Sequence, residues 1–189
     1  YLRHFEVAFD GLQRRVDADA ILPSDLSLVQ MEEMEDLVAS ELIAEALVRA
    51  GHRAIVVSAG GRLVAPLEAR GARHVTLDIG RKSPWTFRHV AALRRLFAEV
   101  GADIVHARSR LPAWLAWRAL QGMRGPCPRF VTTAHGLNSP SRYSAIMARG
   151  ERMICVSNVV RAHLLQHYPR IDSQRLRVIP RGIDPARFP

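Results

Sequence analysis

Two short segments carry the residue types best suited to chemistry. His135 closes the apolar run Arg129–Ala134 (RFVTTA) and is followed by Gly136. An imidazole there stands at the end of a buried strand, where it can give or take a hydrogen bond. Arg108-Ser109-Arg110 follows the run Asp103–Ala107 (DIVHA) in the same way. Two guanidinium forks flanking a hydroxyl can clamp a phosphate or an acidic sugar through paired hydrogen bonds. Solvated surface arginines are the equally weighted alternative. Arg181-Gly182 follows a third such run, Arg177–Ile179 (RVI), and Gly182 offers an unobstructed backbone N–H. His106 alternates with Val105 inside its run and reads as a core histidine. Ser157 precedes a helical stretch and reads as its N-cap. Cys127 and Cys155 are too few and too far apart for a disulfide framework or a zinc site, so no metal or cofactor is expected.

Positioning these groups requires an alternating scaffold. Ala54–Ala59 is a continuous β-branched run closed by Gly60-Gly61, the form of a strand buried on both faces. Arg62–Arg70 reads as a short helix stopped by Gly71, and His74–Ile79 as the next strand. Ser83-Pro84 opens a helix with an N-cap and an early proline, and Gly101 ends it. Strand Asp103–Ala107, helix Pro112–Met123 with Trp114 and Trp117, strand Arg129–Ala134 and a short helix Tyr143–Arg149 follow. Strand Met153–Val156, helix Val159–Tyr168 and strand Arg177–Ile179 complete the series. Strands alternating with helices predict right-handed βαβ units: an α/β, Rossmann-like parallel sheet flanked by helices. Ligands of such sheets sit beyond the carboxyl ends of the strands, where all the candidate residues fall. Upstream, Leu28–Ala50 is predicted as one helix capped by Gly51, preceded by a weak strand over Ala18–Leu22. Trp114 and Trp117 lie three apart on one helix and are expected in the core.

The totals narrow the options. A chain of 189 residues with 48% hydrophobic and 24% charged residues suits one soluble domain. No apolar run approaches the ~20 residues that span a bilayer, the start does not resemble a signal peptide, and a cytoplasmic setting is expected. The net charge of +9 is uneven: residues 1–50 hold 4 Lys/Arg against 11 Asp/Glu, and residues 51–189 hold 23 against 7. A basic body attracts phosphorylated substrates, anionic lipid or nucleic acid. No helix-turn-helix, zinc or RNP-like motif accompanies it, so nucleic acid is not an expected partner. Arg81, Lys82, Arg88, Arg94 and Arg95 read as a solvated face.

The segments AGHRAIVVSAGG (50–61), ADIVHARSR (102–110), FVTTAHG (130–136), ICVSNVVRAHL (154–164) and VIPRGIDPARF (178–188) together resemble a known family. In order and spacing they are similar to the N-terminal domain of the family-4, GT-B, retaining glycosyltransferases, which include lipopolysaccharide-core and other cell-envelope sugar transferases. The resemblance covers about 140 residues. It implies a nucleotide sugar as donor, a saccharide or lipid-linked acceptor and no metal. It places His135 near the reaction centre in a positioning and electrostatic role. Arg108, Ser109, Arg110, Gly136, Arg181 and Gly182 then line the substrate site, Gly182 near the donor phosphates. The basic face becomes a contact for the anionic inner leaflet.

The expected organisation is a divergent segment 1–40, with a strand and the start of a helix, then a Rossmann-like acceptor-side domain over 41–189. The donor-binding domain that the family places next is expected to be missing, which would leave the chain inactive alone. The family's glycine-rich first loop corresponds here to Ser24–Glu33, which has no glycine and adjoins Glu32, Glu33, Glu35 and Asp36. The alternative function is a non-catalytic acceptor-binding or scaffold domain that works with a separate donor-binding subunit.

Overall fold

The computed structural model describes residues 26–31 and 37–180. Strand β1 (Ser27–Met31), helix α1 (Leu37–Arg49), β2 (Arg53–Ser58), α2 (Val64–Ala69) and β3 (Arg73–Thr76) form the first half. A 3-10 turn (Pro84–Arg88) leads into α3 (His89–Glu99), followed by β4 (Ile104–Ala107), α4 (Arg110–Gln121) and β5 (Arg129–Ala134). A second 3-10 turn (Ser144–Ala148), β6 (Arg152–Cys155), α5 (Asn158–His167) and β7 (Leu176–Val178) complete it. The seven strands form one sheet in the order β3-β2-β1-β4-β5-β6-β7, with every pairing parallel. The α/β Rossmann-like architecture expected from the sequence is therefore the one observed.

The largest correction concerns the helix predicted over Leu28–Ala50. Its first part is a strand, β1, and the helix begins only at Leu37. The apolar positions between 28 and 50 fit a helical period, but SLVQM is also a short, nearly continuous apolar run. Such a run is ambiguous by periodicity alone. Tertiary context decides it: all five residues are buried, with Val29 and Val105 in register on one side and Val29 and Ile55 on the other. Residue 40, where the boundary was drawn, falls within α1, and β1, an interior strand of the sheet, precedes it. The weak strand over Ala18–Leu22 lies outside the described residues.

Smaller differences have local causes. The strand expected to reach Ile79 ends at Thr76, beyond which Leu77 N–H donates to the Ser58 carbonyl at 2.8 Å. The helix expected over Tyr143–Arg149 is a 3-10 turn. Ser83 and Pro84 do open a helical segment, with the Ser83 hydroxyl accepting from Trp85 N–H, but its first five residues are 3-10 before α3 begins. Arg94 is not wholly solvated: its Nε donates to the Ala119 carbonyl at 3.3 Å, across Gly122, where any Cβ would collide with the guanidinium.

Two apolar layers hold the sheet. On one face Val29, Met31, Val57 and Val105 pack against Leu93 and Phe97 of α3 and Leu115 and Ala119 of α4. On the other, Leu28, Ala54, Val56 and Ile104 pack against Ile43 and Leu47 of α1 and Leu67 of α2. Trp114 and Trp117 are partly buried against the first layer, edge to face at 5.6 Å, as core packing requires. A third cluster seats Val160 and Leu164 of α5 on Met153 and Cys155.

The buried Cys155 gives a direct test of this packing. Burial pushes its thiol up to about 11, although Arg161 opposes the shift, whereas Cys127 is exposed. A maleimide at neutral pH is expected to label Cys127 and to reach Cys155 only on unfolding, as peptide mass mapping would reveal. Labelling of Cys155 in the native protein would contradict the placement of β6.

Candidate functional site

Strand order reverses beside β1: the chain winds outward through β2 and β3 on one side and β4 to β7 on the other. Such a switch point opens a crevice at the carboxyl ends of the strands. Side chains alternate along each strand, so His106 and Arg108 of the β4 segment lie on the face that carries α1. Thr133 and His135 of the β5 segment lie on the same face. These four residues line one small pocket with Ile43, Ile154, Val156 and Ile179, about 10 Å³ in volume and so near the size of one water.

The polar groups within it are tied together. Arg108, only 4% exposed, directs its Nε–H to His135 Nε2 at 3.3 Å. His106 Nε2 and Thr133 Oγ1 share a buried hydrogen bond of 2.7 Å. Burial lowers His106 to about 3, and the neighbouring Arg108 and His135 push it the same way. The imidazole is therefore neutral at physiological pH, and His106 is the bonded core histidine that the alternation implied. Beside it in the ladder stands Gln30, wholly buried, whose amide has no hydrogen-bond partner among the described residues. Sequence reading missed both Thr133 and Gln30; their positions on the His106 face were the only signal available.

The remaining candidates divide. Arg110 opens α4, donates to Ser144 Oγ at 3.4 Å and lies over the Tyr143 ring at 5.4 Å. Ser109 holds the N-cap position of α4 without a side-chain capping bond, and its buried Oγ lacks a partner among the described residues. Arg108 and Arg110 thus do different things: one guanidinium is buried against His135, the other rests on an aromatic ring at the rim. Gly136 is exposed, and a Cβ there would meet nothing within 4 Å. Arg181 and Gly182 lie outside the described residues.

The loop after His135 is held from two sides. His163 Nε2 of α5 donates to the Asn138 carbonyl at 2.9 Å, and Trp114 Nε1 of α4 donates to the Tyr143 carbonyl at 3.0 Å. Ser157 caps α5 by accepting from Val160 N–H at 3.2 Å. His135 is thereby placed by β5 before it and by two helices after it. No group of three or more His, Cys, Asp or Glu that could hold a metal occurs among the described residues.

A fixed imidazole, a buried guanidinium behind it and a basic rim at a switch point suit binding of a polar, hydroxyl-rich or anionic ligand. Comparison with known proteins gives the family. The model of Glycosyltransferase Family 4 matches residues 40–187. The chain is a member of Glycosyltransferase Family 4. Its fold is similar to that of a glycosyltransferase from Rickettsia africae, with 28% identity and a TM-score of 0.73 over 86% of this chain and 44% of that one. The Anabaena protein Alr3699/HepE, solved with UDP and glucose, shares the fold at 17% identity and a TM-score of 0.60, over 84% and 45% of the two chains. The lipopolysaccharide outer core galactosyltransferase WaaB shares it at 10% identity and a TM-score of 0.60, over 84% and 46%. This family member therefore spans less than half the length of each of these proteins. No curated protein sequence matches it significantly.

The neutral His106 makes a prediction about acid stability. Its folded value of about 3 lies below the ordinary 6.5, so between those values the unfolded chain binds the extra proton. Stability contributed by the neutral ring is full above the upper value and is lost as pH falls. His106→Gln, which keeps a donor toward Thr133, is expected to flatten the acid limb of the stability curve by up to about 1.4 kcal/mol per pH unit. Urea unfolding measured across that range checks it; an unchanged slope would place His106 in contact with solvent.

Proposed function

We propose that this domain supplies the acceptor side of a retaining GT-B glycosyltransferase. It moves a hexose-like sugar from a nucleotide-sugar donor to a saccharide or lipid-linked acceptor in cell-envelope synthesis. The observation that carries the reading is the Arg108–His135 pair, set at the carboxyl edge of β4 and β5 in a member of this family. His135 stands there to hold a sugar hydroxyl by hydrogen bond, not to attack it. Arg110 and Lys82 share an open groove of about 620 Å³ with Phe87 and Tyr143, suited to an acceptor with both anionic and apolar parts. Stabilising the departing diphosphate requires fixed positive charge and N–H donors around it. In this reading a second Rossmann-like domain provides most of these, and the present chain alone transfers no sugar at a measurable rate.

The reading extends to the cytoplasmic face of an anionic membrane. No helix among the described residues is long and apolar enough to cross a membrane. Among the described residues the exposed large hydrophobics are Trp85 (77%), Phe87, Leu137, Tyr143 and Val159. All five follow the carboxyl ends of β3, β5 or β6, and so share one edge of the sheet. Arg81, Lys82 and Arg88 flank Trp85 and Phe87 and are exposed, and none of them has an ion-pair partner among the described residues. Aromatic side chains bordered by cations favour the interface of an anionic bilayer.

Two measurements test these statements. The domain joined to a family-type donor domain is expected to turn over a nucleotide sugar, and His135→Ala to lower kcat by about 100-fold, the usual cost of one positioned hydrogen-bond donor. Undiminished turnover removes His135 from the mechanism. Separately, the chain is expected to co-sediment with phosphatidylglycerol vesicles but not with phosphatidylcholine vesicles, and to lose binding in added salt. Trp85→Ala and Lys82→Glu should each weaken it; equal partition to both lipids would refute the membrane contact.

A further inference from the structure

Arg108, which the sequence leaves open as a ligand clamp or a surface arginine, is buried and directs its Nε–H to His135. That geometry has a chemical result. A guanidinium has only donors, so the 3.3 Å contact requires His135 Nε2 to accept through its lone pair. An imidazolium has N–H on both nitrogens and could not accept. A neutral ring with its lone pair on Nε2 carries its one proton on Nδ1. The surroundings keep the arrangement in place. Thr133, two residues before His135 on the same strand, is bonded to His106, two residues before Arg108 on its own strand. Ala107 is paired with Thr132 in the ladder, and Arg108 and His135 stand just past the ends of their two strands. Arg108 N–H also donates to the Met31 carbonyl at 3.4 Å, which ties its backbone to the end of β1.

We propose that Arg108 is a positioning residue that locks His135 as the neutral Nδ1–H tautomer, so that the Nε2 lone pair is engaged and His135 does not act as a base through Nε2. The first half is a statement about the free chain. The second rests on the reading of this edge as the acceptor side of a sugar transferase. There an Nε2 lone pair held by Arg108 would not take the proton of a sugar hydroxyl, and proton transfer would fall to another group.

The test uses the 189-residue chain, labelled with nitrogen-15. Long-range proton–nitrogen correlation through the ring carbons distinguishes the two neutral tautomers, read at mildly alkaline pH where free imidazole is uncharged. His135→Gln identifies the signal. In the wild type, Nε2 is expected at the unprotonated, deshielded position and Nδ1 at the protonated one. Arg108→Met keeps the bulk and removes the donor, and it is expected to exchange the two positions toward the Nε2–H form that free histidine favours in water. Backbone amide spectra report whether this variant folds. Should it not fold, a wild-type coupling across the hydrogen bond from Arg108 Nε–H to His135 Nε2 supports the proposal, and absence of that coupling counts against it. A wild-type ring protonated on Nε2, or a folded Arg108→Met protein that keeps the Nδ1–H form, overturns it. Undiminished sugar transfer by a His135→Ala enzyme would instead defeat the functional reading and leave the tautomer untouched.

Discussion

The position of β1 between β2 and β4 is the constraint on which the rest depends. It hydrogen-bonds to both neighbours, and its five residues are buried on both faces. A parallel sheet can be buried this way only if helices cover both sides, and winding outward from one central strand in two directions supplies them. The same winding leaves a crevice beside β1, because the connections on its two sides depart to opposite faces. Core and site therefore share one cause. Val29 and Met31 anchor the α3–α4 layer, while Leu28 anchors the α1 layer. Gln30, between Leu28 and the strand's end, is the polar residue that lies next to His106.

From that strand the site is assembled by register. Once β4 pairs with β1 and β5 with β4, alternation sends His106, Arg108, Thr133 and His135 to one face. Burial then sorts their chemistry. His106 becomes a neutral hydrogen-bonding group, and its bond to Thr133 replaces the water that both would otherwise bind. Arg108 cannot lose its charge, and a buried charge needs partners; the His135 imidazole is one of them. Arg110, two residues on, has left the sheet for the first turn of α4, and its guanidinium stacks on Tyr143.

Much of this was legible in the sequence, for physical reasons that particular residues illustrate. AIVVSA and RFVTTA are β-branched runs too short for buried helices, closed by residues that end strands, and they appear as β2 and β5 within a residue of their expected limits. The serine caps at Ser83 and Ser157 were readable because a short hydroxyl before a helix satisfies an orphan N–H. SLVQM was misread because its apolar spacing also fits the helix that follows, and only its two strand neighbours distinguish the cases. His135 and the arginines could be placed at the sheet's edge by counting from strand ends. What sequence could not show was that Arg108 turns inward while Arg110 turns outward, since that depends on which face each strand presents to α1.

Four ion pairs join described residues. In Arg73–Glu99 and Arg129–Glu151 the arginines open β3 and β5, while Arg49 and Arg70, at the ends of α1 and α2, share Glu45 of α1. These pairs set four arginines against three glutamates, with Glu45 shared, whereas Arg81, Lys82 and Arg88 have no ion-pair carboxylate among the described residues. Exposed cations of this kind attract a negatively charged surface locally, and added salt weakens the attraction.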